Sequence, residues 1–506
     1  MDILNPESHN EKARRLWESG RYDDAIQSWR QALTSNPESV EALTSLAWAL
    51  GQQETVEEAT AFARRAVELS PEDPAARRVF GELLFLEGHY QEAADHYTAG
   101  LKHNERGHEL LTACLRRDLG DVYYMLGDFE QAKRQYDAAL VAGGDQAYCH
   151  LWLGWTKQQL GDRQGALAEF HLACDLAPEW HEAYYAAGQS SCALGSYDQA
   201  RDLLVRALSL YPSEDEEGRS AGTCELGNAY RGLGDFHRAV GLYKEALLLD
   251  PTHPVARFNL GLACSEMGEF EAALAAFDVA AQLDPGDADV QVERGRACLE
   301  LDRHDQALEA YRAALEIQPG NAEAYSGLGL TYYALGIYDT SAEHYRSAVE
   351  SEPRDPWPRY NLALALDAAG RHADADVAIE QAWELGQDDP HICVALARAL
   401  TAQGRSPTSA ARAARRACGL DPDNADAHDA LAMALHSAGD YRGALGPALE
   451  ATRLMPESAE YHYTLGLVQE AAGDLLSARA SFTRSIGLAP GFEEAREALR
   501  RLEESS

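Results

Sequence analysis

Small residues recur along this chain every 34 or so positions, and that interval limits its fold more than any other feature. Self-alignment gives fourteen units, beginning at residues 6, 40, 74, 113, 147, 181, 220, 254, 288, 322, 356, 390, 425 and 459. The eighth residue of each unit is always glycine or alanine, from Ala13 and Gly81 to Gly261, Ala432 and Gly466. The twentieth is alanine in thirteen units and Ser341 in the other, once a single inserted residue in the twelfth unit is allowed for. The twenty-seventh is again small, from Ala32 through Ala314 to Ser485, and the thirty-second is proline in eleven units, among them Pro37, Pro178, Pro285 and Pro490. Proline has no amide hydrogen to give and stops a helix. Between the small residues, larger ones such as Leu226, Tyr230 and Tyr243 follow one apolar face of each helix. Each unit is thus expected to be a pair of antiparallel helices in close contact, with an outer apolar face that needs a neighbouring unit to cover it.

The small-residue pattern, the closing proline and the turn Gly-Asp-Tyr/Phe (Gly127-Asp128-Phe129, Gly234-Asp235-Phe236, Gly439-Asp440-Tyr441) resemble tetratricopeptide repeats over residues 6–492. The resemblance implies an all-α fold, an α-α superhelix of about fourteen helix-turn-helix repeats. Helix A of each repeat would line a concave groove and helix B the convex side. Extra residues at 108–112 and 215–219 divide the repeats into three blocks, 1–107, 108–219 and 220–492, and mark either kinks, partner-docking points or inserted loops. Glu105 and Gly144 replace proline around the first insertion. Residues 493–506 begin a fifteenth helix A, but Arg500 stands where the small eighth residue belongs, so this helix is expected to be a polar cap.

Charge excludes some partners. Lysine and arginine total 44 against 82 acidic residues, a formal balance of −38, which repels a phosphate backbone and makes direct nucleic-acid binding an unfavourable reading. No stretch of eighteen apolar residues exists to insert in a membrane, and Met1 to Asn5 do not begin a secretory leader. The nine cysteines form no Cys-x-x-Cys pair and several fall on core-facing positions, so reduced thiols in a cytoplasmic protein are expected.

No phosphate loop, His-Glu-x-x-His or Gly-x-Ser-x-Gly motif is present, and no cofactor or metal is implied. His89, His96 and His103 recur every seven residues, which puts them about 10 Å apart along a helix, too far to share one metal. Candidate binding residues come instead from the fifth, sixth, ninth, twelfth and thirteenth places of each unit, which the resemblance assigns to the groove. In repeats four to six these include Asp121, Tyr124, Met125, Trp152, Trp155, Tyr185 and Gln189. The tryptophans either stand free as anchors for a partner or pack between adjacent helices A.

In repeats seven to nine, Phe258, Asn228 and Asn259 occupy groove places. Chaperone-binding members of the family use similar asparagines with three basic residues to hold a terminal carboxylate. Here those three places hold Cys224, Asp289 and Glu293, which points away from an acidic tail and toward a basic segment. Repeats ten and eleven offer Tyr333, Trp357, Tyr360 and Asn361. Residues 220–389 carry 30 acidic and 12 basic side chains, a balance of −18. Arg412, Arg415 and Arg416 form a basic patch on helix B of repeat twelve, facing either another subunit or acids of neighbouring repeats.

The expected function is a non-catalytic scaffold or adaptor. It would bind a protein or peptide segment, basic or neutral with apolar anchors, in its groove, and so recruit or regulate that partner. The alternative is a structural subunit of a stable homo-oligomer or larger multiprotein complex.

Overall fold

A computed structural model describes residues 6–104, 109–404 and 406–504. Met1 to Asn5, Glu105 and residue 108, where the first insertion begins, lie outside the described residues. The described chain forms 29 α-helices and no β-strand, from α1 (Pro6–Glu18) to α29 (Glu493–Glu504), with odd-numbered helices serving as helix A and even-numbered ones as helix B. It divides into two compact units, Met1–Ala263 and Cys264–Ser506, with the division inside α15 (Pro254–Glu266).

Local chemistry sets the helix ends. Helix A closes on a residue in the left-handed region, such as Gly127 (φ 77°) or Gly234 (φ 76°), where a side chain would meet the following carbonyl. The next residue caps helix B: the Asp128 carboxylate accepts from the Gln131 amide at 3.2 Å and Asp235 from Arg238 at 3.2 Å. At the far end of helix B the residue before the proline is extended, as at Asn36 (φ −141°, ψ 93°), because proline's ring excludes a helical predecessor.

The small eighth residue has two neighbours. Its backbone faces the twentieth residue, as Ser341 shows by donating its hydroxyl hydrogen to the Gly329 carbonyl at 2.7 Å. Its missing side chain is filled by the twenty-fourth: a Cβ on Gly154 would stand 2.5 Å from Phe170, and one on Gly227 2.6 Å from Tyr243. Size is matched across this contact. Glycine faces Tyr97, Tyr136, Phe170, Tyr243, Tyr311, Tyr345 or Phe482, whereas Ala47, Ala397 and Ala432 stand in units whose twenty-fourth residue is Ala63, Ala414 or Ala448. Gly188 faces the smaller Leu204, and Ala13 and Ala363 stand in units with the larger Trp29 and Ile379. Where glycine leaves a gap a large side chain fills it, and in three of the five units with alanine at the eighth place the opposed residue is alanine too, as dense packing requires.

Residues 109–112 of the first insertion and 216–219 of the second are helical. They lengthen helix A at its N-terminus, so that α7 (Glu109–Met125) and α13 (Glu216–Gly232) each have 17 residues, against 13 in α5 (Pro74–Leu86). The acidic run explains the second case: Asp215 caps α13 by accepting from the Gly218 amide at 2.8 Å, and Glu216 and Glu217 sit in the first turn, where the helix dipole favours negative charge.

Beyond the last repeat, α29 buries Ala495, Ala498 and Leu502, the latter two in a cluster with Ala478 and Phe482, and leaves Arg500 exposed. Among the described residues no helix is long and apolar enough to cross a membrane.

Candidate protein-binding groove

Neighbouring helices A touch one another: α5 with α7 and α7 with α9 (Gln146–Gln159) in the first unit, α17 (Ala288–Glu300) with α19 (Ala322–Ala334) in the second. Successive helices B make no contact of that extent among the described residues. The A side is therefore the tighter, inner side of each unit, and the candidate residues on helices A belong to it.

In the first unit this wall carries a buried charge network that the sequence reading missed. The Asp118 carboxylate, 8% exposed, accepts from the Arg78 Nε at 2.6 Å and from the Arg117 guanidinium at 2.7 Å. Two cations on one carboxylate compensate its loss of water. Glu82 lies beside Arg78 at 4.0 Å, and burial pushes its carboxyl up from the usual range. Applied to repeats three and four, the groove-place rule yields Arg78, Glu82, Arg117 and Asp118, so the signal was present at those sites. Nothing in the rule points to Tyr148, second in its unit, which reaches the wall through the length of its ring.

Asp121 joins this network to the aromatics. It accepts from the Tyr136 hydroxyl at 2.7 Å and the Tyr148 hydroxyl at 3.1 Å, while Arg117 lies 5.2 Å from the Tyr148 ring centre. Burial raises the Asp121 carboxyl to about 6, against the lowering effect of the Tyr136 hydrogen bond. The twenty-fourth residue thus passes over the glycine and delivers its hydroxyl to the ninth residue on the inner wall. Tyr243 does the same to Asn228, at 2.7 Å.

The tryptophans are half-buried, not free-standing. Trp152 packs edge-on against Tyr124 at 5.2 Å and near Tyr148 at 6.0 Å, and Trp155 packs against Phe170 at 5.0 Å. Their remaining surface, with exposed Met125, forms a rigid aromatic strip over repeats four and five. Tyr185 is half-buried, and Gln189 donates to Glu225 at 3.3 Å.

The two asparagines are brought together, but to each other. Asn259, buried, donates from Nδ2 to the Asn228 Oδ1 at 2.9 Å, and the Asn228 amide donates to Glu225 at 3.2 Å. These bonds tie the two side chains to each other and to Glu225. Cys224 is buried and its thiol is pushed up to about 12 by burial, so it stays protonated at neutral pH. Phe258 is half-buried.

In the second unit, Asp289 is exposed, while Glu293 is paired with Arg296 at 2.9 Å and its carboxyl is raised chiefly by burial. Tyr333 packs edge-on against Tyr338 at 5.3 Å, and Tyr360 against Trp357 at 5.9 Å. Asn361 lines a groove of about 370 Å³ that runs over α17, α19 and α21 (Pro356–Ala368). The basic patch of repeat twelve is engaged by repeat eleven: Arg412 covers Trp383 at 5.2 Å, and Arg416 pairs with Asp388 and donates to the Gln387 carbonyl at 2.9 Å.

The tetratricopeptide-repeat profile matches residues 10–74, 117–179, 224–288, 327–390, 394–454 and 437–491, and related repeat profiles match 182–213 and 295–336. Human tetratricopeptide repeat protein 13 is 25% identical over 177 residues, which is 34% of this chain and 20% of that protein. Hsp70-Hsp90 organizing protein 3 of Arabidopsis thaliana is 30% identical over 116 residues, 23% of this chain and 21% of that protein. The chain thus spans about a fifth of the length of the curated relatives it matches. Among solved structures, the APC/C hetero-tetramer Cut9-Hcn1 aligns at 16% identity and a TM-score of 0.46 over 99% of this chain and 96% of that one. Yeast Tom70 aligns at 16% identity and a TM-score of 0.44, over 85% and 95%. With the repeat interval, the paired helices and the profile matches over most of the chain in agreement, the protein belongs to the tetratricopeptide repeat family.

Proposed function

We propose that this protein is a non-catalytic scaffold that binds a segment of a partner protein along the inner wall formed by its helices A, and thereby recruits or regulates that partner. The observation that carries this reading is the aromatic strip of Tyr124, Tyr148 and Trp152, held rigid by the Asp118 and Asp121 network and half open on the inner wall. Rigid aromatics lose little entropy when they meet a partner and supply anchors at interfaces. The acidic balance of residues 220–389 supports a partner segment that is basic or neutral.

Position-specific photo-crosslinking in the native cell tests the reading. A crosslinking amino acid at Tyr124 or Leu330, both on helices A, should trap a partner protein. The same group at Val205 or Leu449, exposed on helices B, should not. Trapping from the helix B positions alone would overturn the assignment to the inner wall.

A further inference from the structure

The groove of the second unit has a feature that the other repeats lack. The sixth residue of a unit projects from the inner wall, as Asp118, Trp152, Asn259 and Asn361 do, but in repeat ten it is Gly327. A Cβ there would stand 2.3 Å from the Tyr311 ring, so that ring takes the space and the wall is left bare above it. The resulting notch has a floor of Val292, Leu299, Leu330 and the Tyr311 and Tyr345 rings. Its rim holds Glu300, Glu323, Glu352 and Asp355, with Arg296 as the one basic side chain among the lining residues.

Arg296 is already engaged, with Glu293 at 2.9 Å and Glu323 at 3.4 Å, and Asp355 caps α21 by accepting from the Trp357 amide at 3.0 Å. Glu300 and Glu352 have no ion-pair partner among the described residues, and both are exposed. An apolar floor beneath unpaired carboxylates is complementary to one kind of side chain, a long aliphatic stem ending in a cation.

We infer that the Gly327 notch seats an arginine or lysine side chain of the partner segment, its stem on Leu299 and Leu330 and its charged end between Glu300 and Glu352. This rests on the inner-wall reading above and makes it specific: the partner carries a basic residue with apolar neighbours. A carboxylate-terminated tail would be repelled at the same place.

The test uses the full-length protein and two libraries of fluorescein-labelled dodecapeptides. One library has a fixed central arginine and the other a fixed central citrulline, the neutral isostere. The remaining positions vary among alanine, leucine, serine and glutamine. Fluorescence anisotropy at low salt should show the arginine library binding about 10-fold tighter or more, as a charge-assisted pair implies. Glu300→Gln with Glu352→Gln should bring it down to the citrulline level. Glu309→Gln with Glu316→Gln, which removes the same charge from exposed positions on α18 (His304–Ile317), should leave the preference intact.

Equal binding of the two libraries, no binding of either, or equal loss in both double variants would overturn the notch. Crosslinking from Tyr124 that persists alongside any of these results would leave the inner-wall reading standing and remove only the arginine site. Loss of that crosslinking would remove both.

Discussion

Replacing Gly154 with alanine tests the size matching that holds each helical pair together. The added Cβ would lie 2.5, 2.6 and 3.0 Å from three atoms of the fully buried Phe170 ring. Carbon contacts relax near 3.5–4.0 Å, so the ring must move by about 1 Å. Overpacking of this kind costs about 1–3 kcal/mol. Alanine also returns about 1 kcal/mol over glycine in a helix interior. The net change is therefore a loss of about 0–2 kcal/mol.

Gly241, exposed in the middle of α14 (Phe236–Leu249) with nothing within 4 Å of its missing Cβ, isolates the propensity contribution. Gly241→Ala should stabilise by about 1 kcal/mol, which leaves a gap of about 1–3 kcal/mol between the two variants. In a Phe170→Ala background the clash is gone, and Gly154→Ala should itself become stabilising. Because repeat arrays need not unfold in one step, the readout is native-state hydrogen exchange of amides in α9 and α10 (Arg163–Leu176), beside urea unfolding followed by circular dichroism. If Gly154→Ala and Gly241→Ala shift stability equally, or if the double variant shows no coupling with Phe170, the steric reasoning is wrong.

Other outcomes follow from the same structure. Asp121, raised to about 6 when folded and near 3.8 when unfolded, binds its proton more tightly in the native state. Its contribution to stability is therefore greatest below about pH 4 and falls as pH rises through about 6. Asp121→Asn, which mimics Asn228 in its bond to Tyr243, should flatten this part of the stability–pH curve; an unchanged curve would discount the burial of that carboxyl. Glu54 (φ 60°) and Asp302 (φ 56°) hold the left-handed place that glycine fills in other turns. Glu54→Gly should raise stability by about 0.5–1 kcal/mol and Asp302→Gly by less, since aspartate tolerates that conformation better, and calorimetry would show the order. Once a partner is in hand, Trp152→Ala with Trp155→Ala should mainly speed its dissociation, with circular dichroism as a folding control. Asp289→Lys with Glu293→Lys should mainly slow association and weaken its salt dependence in stopped-flow traces.

The repeat interval, helix pairing and turn chemistry were all legible in the sequence, because each rests on residues a few places apart. Glycine at a helix end, aspartate after it and proline at the close act on their own backbone, so the order Gly127-Asp128-Phe129 already specifies one turn. The inward-facing alanines were legible for the same reason, since a small residue at a fixed helical offset can face only one way.

What the sequence left open depends on which groups meet after the helices stack. Arg78 and Asp118 are 40 residues apart and become partners only because α5 and α7 lie side by side. The asparagines read as groups able to hold a backbone, and only stacking places Asn259 against Asn228, where the two side chains bond to each other. The tryptophans had two readings, free anchors or packed rings, and only the adjacent Tyr124 and Phe170 rings show them packed with part of their surface open. The second insertion read as a kink, a docking point or a loop, and only the Asp215 cap shows that residues 216–219 extend a helix instead. Periodicity decides where a side chain projects from its own helix. Only the rotation and spacing of the neighbouring helix decide whether it then meets solvent, a ring or an opposite charge.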